Sequence, residues 1–533
     1  MPSLFAMKND SAFPAPSVVY NWRIYALALS ASMGSAMFGY DSAFIGGAIT
    51  LPSFVSRFGL GDSSSDLSAA LSANIVSTFQ AGCFFGAIFI SYLVEKFGRK
   101  FPLLACGLVY NVGTIVQVAS TGSIGMIYAG RALTGLAVGA STLVVPQYIS
   151  ECSPSAIRGR LIGIFEIVLS FSQILGFWVN YGVNQNISGN SDAQWRIPFV
   201  LQLIPGSFLV AFMFLQPESP RWLIKAGKTD KAMESLCKIR RLPLDDHYIA
   251  WEVRAVREQL DHESELGANR SLRGKFREML QEGNRERLIL GMSLMLLQNL
   301  SGINALNYYS PTIFKSIGFS GTRVGLLATG VFGIVKALAT LVYMCFGIDK
   351  LGRRKSLLIG STGALVAMFY LGGYSKVSGS FSHTVVQDGG AYVAIVMIYV
   401  FSVFYAMSWN GIPWIFCAEV FPTGIRSISL VFTTCTQWLC QFIIVYSTPY
   451  MMKNITYGTF IFFGSSLVVG LFVVFLFIPE TKGLSLEDMD VLFNIKGLAA
   501  TQRKKADDII ASQRDAENVV DIKDTEDFEI KDV

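Results

Sequence analysis

The chain has 533 residues, of which 52% are hydrophobic and 15% charged, with a formal net charge of +5. A soluble domain carries about 25% charged residues, so this balance excludes an ordinary globular protein, and so small a net charge for this length says little about nucleic acid. The eight Cys, among them Cys83, Cys106, Cys237, Cys345, Cys417 and Cys435, show neither metal spacing nor a disulfide framework and read as packing residues.

In chain order, residues 1–22 read as a soluble arm. No cleavable signal peptide is expected, because the first apolar run is too long for an h-region. Apolar runs follow at about 23–47, 69–94, 101–120, 124–149, 160–184, 197–216, 288–312, 322–347, 354–374, 390–417, 428–450 and 457–478. Each is near the roughly 20 residues that cross a bilayer. The pattern predicts an all-α membrane protein of twelve transmembrane helices. It divides into a bundle over 23–216, a charged linker of short surface helices over 217–287 and a second bundle over 288–480. Residues 481–533 turn polar, end rich in Asp and Glu, and read as a disordered tail.

Lys and Arg cluster in alternate short loops, at Lys96, Arg99 and Lys100, at Arg158 and Arg160, at Lys350, Arg353, Arg354 and Lys355, and at Arg426. The positive-inside rule makes those loops, both termini and the linker cytoplasmic. The sequons at Asn186 and Asn454 then fall outside, where glycosylation can occur.

Lone charges inside the runs are the candidate functional groups. Each costs about 2.5–3.5 kcal/mol or more at mid-membrane and therefore faces a partner or a wet cavity. Asp41 is the one charged side chain between Ile24 and Ile49, and Arg131 lies alone between Ile124 and Val145. The two are expected to meet. Either the aspartate takes and releases a proton while the chain moves a solute, or the pair is a static tie between two helices.

The runs repeat. Phe97-Gly98-Arg99-Lys100 recurs as Leu351-Gly352-Arg353-Arg354, Glu151 to Arg158 as Glu419 to Arg426, and Pro217-Glu218-Ser219 as Pro479-Glu480-Thr481. Ordered matches of this kind predict two parallel six-helix halves that rock about a central site. Arg99, Glu151, Arg158, Glu218, Arg221, Arg353, Glu419, Arg426 and Glu480 read as a cytoplasmic latch between the halves, with plain positive-inside topology as the alternative.

The Gly98-Arg99-Lys100 and Gly352-Arg353-Arg354 loops resemble the signature of the major facilitator superfamily. Pro217-Glu218-Ser219-Pro220-Arg221, the stretch from Gln298 through Asn304 to Tyr309, and Pro479-Glu480-Thr481-Lys482-Gly483 resemble its sugar porter family. The stretch from Gly39 to Gly46 is most similar to fungal members, including the quinate-permease-like branch. The resemblance implies the major facilitator fold, with two pseudo-symmetric six-helix bundles. It implies that Asp41 and Arg131 are the proton-coupling pair, and that Gln173, Gln298, Asn299, Asn304, Trp414 and Trp438 bind the substrate. Amides offer donors and acceptors to hydroxyl groups, and an indole offers an apolar face with one N–H. The bland alternatives are core tryptophans and interhelical amide bonds.

The sequence departs from the family pattern at Asn299, Glu95 and Ser91, and more sharply at Glu166 and Lys336, two further intramembrane charges of opposite sign. These either pair with each other, which suits a neutral sugar, or contact substrate, which suits an acidic polyol such as quinate.

The function implied is proton-coupled uptake of a monosaccharide, hexose or pentose, at a fungal plasma membrane. Rivals are quinate:proton symport, uncoupled sugar diffusion and a non-transporting nutrient sensor. No nucleotide-binding loop or metal cluster is apparent, and the chain has only 3 His. The expectation is therefore of no cofactor, no covalent chemistry and no nucleic acid; the partners are the solute, protons and the lipid bilayer.

Overall fold

The computed structural model describes residues 16–60, 66–263, 272–319, 321–380, 388–422, 424–482, 489, 491–493, 495, 497, 499, 501–509 and 512. Most of the N-terminal arm and the acidic end of the tail lie outside the described residues. The described residues are helical, with no strand among them. The spanning helices are α1 (Trp22–Ala48), α2 (Asp66–Phe97), α3 (Lys100–Val118), α4 (Ile124–Cys152), α5 (Arg158–Asn186) and α6 (Ala193–Leu201 with Leu203–Leu215). They continue as α7 (Asn284–Leu300 with Ile303–Ser316), α8 (Thr322–Val342), α9 (Arg353–Val377), α10 (Gly389–Ala406 with Ile412–Val420), α11 (Arg426–Asn454) and α12 (Gly458–Phe477).

By length and hydropathy 11 of the described helices can cross a membrane, and α1 falls short of that measure. The reason is local. At 27 residues it is long enough, at about 1.5 Å per residue, but it buries Ser30, Ser32, Ser35, Asp41 and Ser42. Those polar groups face protein, where they find partners that lipid would not supply. The apolar periodicity also hid two interruptions. Helix α7 breaks at Ser301 and Gly302, where Gly302 adopts φ +92 and an added Cβ would press on Phe463 and Met368. Helix α10 breaks between Ala406 and Ile412.

The first six helices pack mainly through α1 on α5 and α6, α2 on α4, and α3 on α4 and α6, and the last six through α9 on α10 and α12, α7 on α11, and α8 on α10. The two bundles meet along α2–α11, α5–α8 and α1–α7. Between them runs the linker, with helices Pro220–Lys225, Thr229–Arg240, His247–Glu263 and Leu272–Met279. The first three share a small core of Leu223, Ile224, Ala232, Leu236, Ile249 and Val253. Buried Arg240 fastens them to α4: it donates to both oxygens of Glu252 at 3.0 and 2.5 Å and to the Cys152 carbonyl at 2.8 Å.

The sequence repeat has a common geometry. Gly98 and Gly352 adopt φ +88 and +84, and a Cβ at either would strike the carboxylate of Glu218 or Glu480. Glu218 accepts from the Arg99 N–H at 2.9 Å, and Glu480 from the Arg353 N–H at 2.8 Å. The guanidinium groups reach Glu151 (2.7 Å) and Glu419 (2.8 Å). Those carboxylates also accept from the hydroxyls of Ser219 and Thr481. Burial pushes the Glu218 carboxyl up, against the opposing pull of the Ser219, Arg99 and Lys100 N–H groups. Each clasp joins helices of one bundle. In this structure the Arg99–Glu151 and Arg353–Glu419 pairs lie within single bundles, because the glutamate ending α4 or α10 lies beside the loop of its own bundle; a latch between the halves is expected of the outward-open state.

The tail expectation also needs correction. Residues 501–509 are helical, and Leu492, Phe493 and Ala506 are buried. Arg503 secures this stretch by donating to the Glu480 and Lys482 carbonyls at 2.9 and 3.0 Å.

On the face opposite the linker the bundles touch closely. An added Cβ at Gly46 of α1 would overlap the Tyr308 carbonyl of α7, and at Gly333 of α8 it would overlap the Phe177 ring of α5. Gly330 packs against the Trp178 indole in the same way. Toward the linker face, a Cβ added at Gly159 or Gly163 of α5 meets nothing within 4 Å, as is also true of Gly182 near the other end of that helix. We expect Gly46→Val to cost about 1–3 kcal/mol by overpacking, and Gly163→Ala to change stability by less than about 1 kcal/mol. Thermal midpoints of the detergent-solubilised protein test both.

Candidate functional site

The polar groups of α1, α4, α5, α7 and α8 converge at mid-membrane depth. Arg131 donates to Asp41 from Nη1, both side chains being fully buried. Arg131 Nε donates to the Ile75 carbonyl at 3.1 Å, and the guanidinium lies 4.7 Å from the Phe79 ring centroid. Asp41 Oδ2 and Arg131 Nη2 are buried without hydrogen-bond partners. A single-bonded ion pair that leaves one carboxylate oxygen free is an arrangement in which a proton can be accepted at that oxygen.

The next residue along α1, Ser42, accepts from Gln173 Nε2 at 3.1 Å. Gln173 Oε1 in turn accepts from the Lys336 ammonium at 3.3 Å, across the α5–α8 boundary. Lys336 also donates to Asn307 Oδ1 of α7 at 3.4 Å. Polar contact thus runs from Ser42, the residue after Asp41, to Gln173, Lys336 and Asn307, and it crosses from one bundle to the other. Lys336 is buried, yet its hydrogen-bond partners are neutral amides. Glu166, half-buried on α5, accepts instead from Asn410 Nδ2 at the α10 break, at 3.5 Å. No ion pair joins Glu166 to Lys336.

The amides sort into two groups. Gln298 Nε2 donates to the Trp409 and Asn410 carbonyls at 2.6 and 3.2 Å, groups left without helical partners by the α10 break, while its Oε1 is buried and unpartnered. Asn299 donates to Gln437 Oε1 at 2.7 Å and accepts from Asn304 at 2.7 Å, so this pair spends its polar groups on a network within the second bundle. Trp438 is 1% exposed and packs edge-on against Phe38 at 5.3 Å, with its N–H unpartnered. Trp414 is half-buried beside the core of the second bundle. Among the remaining expected residues, Arg158 begins α5, Arg426 begins α11 and donates to the Phe421 carbonyl at 3.1 Å, and Arg221 donates to Gln259 at 3.0 Å. Asn186 and Asn454 end α5 and α11 on the face opposite the linker, both exposed.

Sequence reasoning missed Ser42, Asn307, Asn410 and Gln437. Asn307 carried a usable signal: it follows Asn304 by three residues, one helical turn on the same face. The others are single small polar residues beside recognised ones, and only the fold brings them into contact.

Residues 27–493 match the family model described as "Sugar (and other) transporter". A probable quinate permease of Aspergillus fumigatus is 42% identical over 503 residues, covering 93% of this chain and 91% of that protein. The quinate permease of Neurospora terricola is 42% identical over 502 residues, covering 93% and 92%. Among solved structures, the proton:xylose symporter XylE bound to 6-bromo-6-deoxy-D-glucose aligns with TM-score 0.72 and 26% identity over 88% of this chain and 99% of that one. XylE from E. coli in a partially occluded inward-open conformation aligns with TM-score 0.71 and 26% identity over 87% and 100%.

Removing one partner of the buried pair tests its energetics. Arg131→Met is expected to destabilise by about 3–5 kcal/mol by stranding a carboxylate. The double change Asp41→Leu/Arg131→Met should recover most of that loss in thermal unfolding of the detergent-solubilised protein.

Proposed function

Because the chain belongs to the sugar (and other) transporter family, a multi-pass membrane class that moves solutes without transforming them, we propose that it carries a polyhydroxylated carboxylate of the quinate type, together with a proton, inward across the plasma membrane by alternating access. The observation that carries this reading is the Lys336 ammonium, buried between the bundles and hydrogen-bonded to amide oxygens. A buried cation with no bonded anion is costly, and a substrate carboxylate supplies that bond. This favours the acidic polyol over the neutral monosaccharide that the family pattern first suggests. The names of the similar quinate permeases support it independently.

In this reading Lys336 takes the carboxylate, with Gln173 and Asn307 exchanging their bonds to it for bonds to ring hydroxyls. Gln298, through its unpartnered Oε1, and the Trp414 and Trp438 indoles contact the rest of the polyol. Asn299 and Asn304 shape the site through Gln437. Asp41 is the proton site: protonation weakens its hold on Arg131, and the change passes along α1 to Ser42 and Gln173. The linker face is the cytoplasmic side, and the Asn186 and Asn454 sequons face outward. A neutral pentose or hexose remains the second reading, favoured by the likeness to the xylose symporter.

Uptake in a transporter-null yeast with labelled quinate, xylose, glucose and galactose discriminates these. We expect quinate uptake that declines as external pH rises and collapses with a protonophore. Asp41→Asn should abolish accumulation and retain exchange. Lys336→Gln removes a charged hydrogen bond worth about 1.5–3 kcal/mol, and quinate uptake should fall at least about tenfold. Gln298→Ala or Trp414→Ala should weaken binding at normal surface expression. Saturable xylose uptake with no quinate flux overturns the acidic-polyol reading.

A further inference from the structure

The mechanism above uses Lys336 and leaves Glu166 without a task. Glu166 and Gln173 lie seven residues apart on α5, two turns along one face and about 10 Å along the axis. The ammonium bonds Gln173 at 3.3 Å, and the Glu166 carboxylate accepts from Asn410 at 3.5 Å. Opposite charges therefore stand on facing helices at the bundle boundary, close enough to balance and too far apart to bond. Phe177 and Gly333 close the α5–α8 boundary on one side of them, and Gly163, one turn from Glu166, meets open space on the other.

We propose that Glu166 is the counter-charge of the empty carrier, balancing Lys336 while no carboxylate is bound, so that the cargo is one carboxylate with one proton and transport moves no net charge. This rests on the substrate reading above. The four charges set deep in the spans are Asp41, Arg131, Glu166 and Lys336, and they sum to zero when the site is empty. A substrate carboxylate adds one negative charge and the proton on Asp41 adds one positive charge, so the loaded carrier is also neutral. Both legs of the cycle then proceed without carrying an uncompensated charge through the membrane, whose cost is otherwise severe. Had Glu166 bonded Lys336 directly, the substrate would have to break an ion pair to enter. Had position 166 been neutral, the empty and the loaded carrier would both cross with one uncompensated positive charge. The observed spacing avoids both outcomes.

The test uses the purified full-length chain in proteoliposomes with labelled quinate and an inward-directed proton gradient, with and without a valinomycin–potassium potential, inside negative. Accumulation should follow the pH gradient and be unchanged by the potential. Each net charge moved would deepen it by up to about fifty-fold for an imposed potential of about 100 mV, and any such deepening in the wild type overturns the proposal. Glu166→Gln leaves one uncompensated positive charge in the loaded carrier as well as the empty one, so quinate counterflow and net uptake should both fall at least about tenfold; Glu166→Asp should restore both. Net uptake in Glu166→Gln equal to wild type also overturns it. The voltage result on the wild type stands even if the variant does not fold. Xylose flux without quinate flux is a separate signal, which overturns the substrate reading and this inference with it.

Discussion

The low-dielectric interior of the bilayer fixes what every charge in this protein can do. With no water to stabilise an isolated ion, a charge must find a partner, a network or a cargo. Asp41 and Arg131 satisfy the demand by direct bonding within the first bundle. Lys336 satisfies it with amide oxygens from two helices of different bundles. The first solution is closed within one bundle, and the second holds a cation at the boundary of two. Ser42, the residue after Asp41, accepts from Gln173 at the bundle boundary.

The helix breaks serve the same end. Interrupting α10 frees the Trp409 and Asn410 carbonyls, which orient Gln298, and leaves the Asn410 side chain facing Glu166 across the boundary. Irregular backbone at membrane depth is tolerated where protein or a cavity satisfies it. Here it orients side chains that an unbroken helix would aim elsewhere. Asn299, Asn304 and Gln437 show the complementary case, in which amides resembling binding groups are occupied by one another.

Much of this was legible in the chain itself. Spans appear as apolar length, and the two-bundle division appears as a repeat whose glycines and glutamates prove to be structurally equivalent. The Asp41–Arg131 meeting was readable because a lone intramembrane charge demands a partner and the candidates were few. What could not be read was geometry set by helix packing. The separation of Glu166 from Lys336 depends on the stagger of α5 against α8. The confinement of the Arg99 and Arg353 clasps to single bundles depends on which loop lies beside which helix end. The serines of α1, which face protein, lower its hydropathy below that of the other spans.

The clasps have a thermodynamic corollary. Since Arg99–Glu151 and Arg353–Glu419 each stay within one bundle, parting the bundles on the linker face leaves these bonds intact. On the opposite face the contacts at Gly46, Gly330 and Gly333 are van der Waals contacts against Tyr308, Trp178 and Phe177. Opening that face wets largely apolar and backbone surface, so the barrier to turnover should respond weakly to ionic strength and carry the positive heat-capacity increment of newly hydrated hydrocarbon.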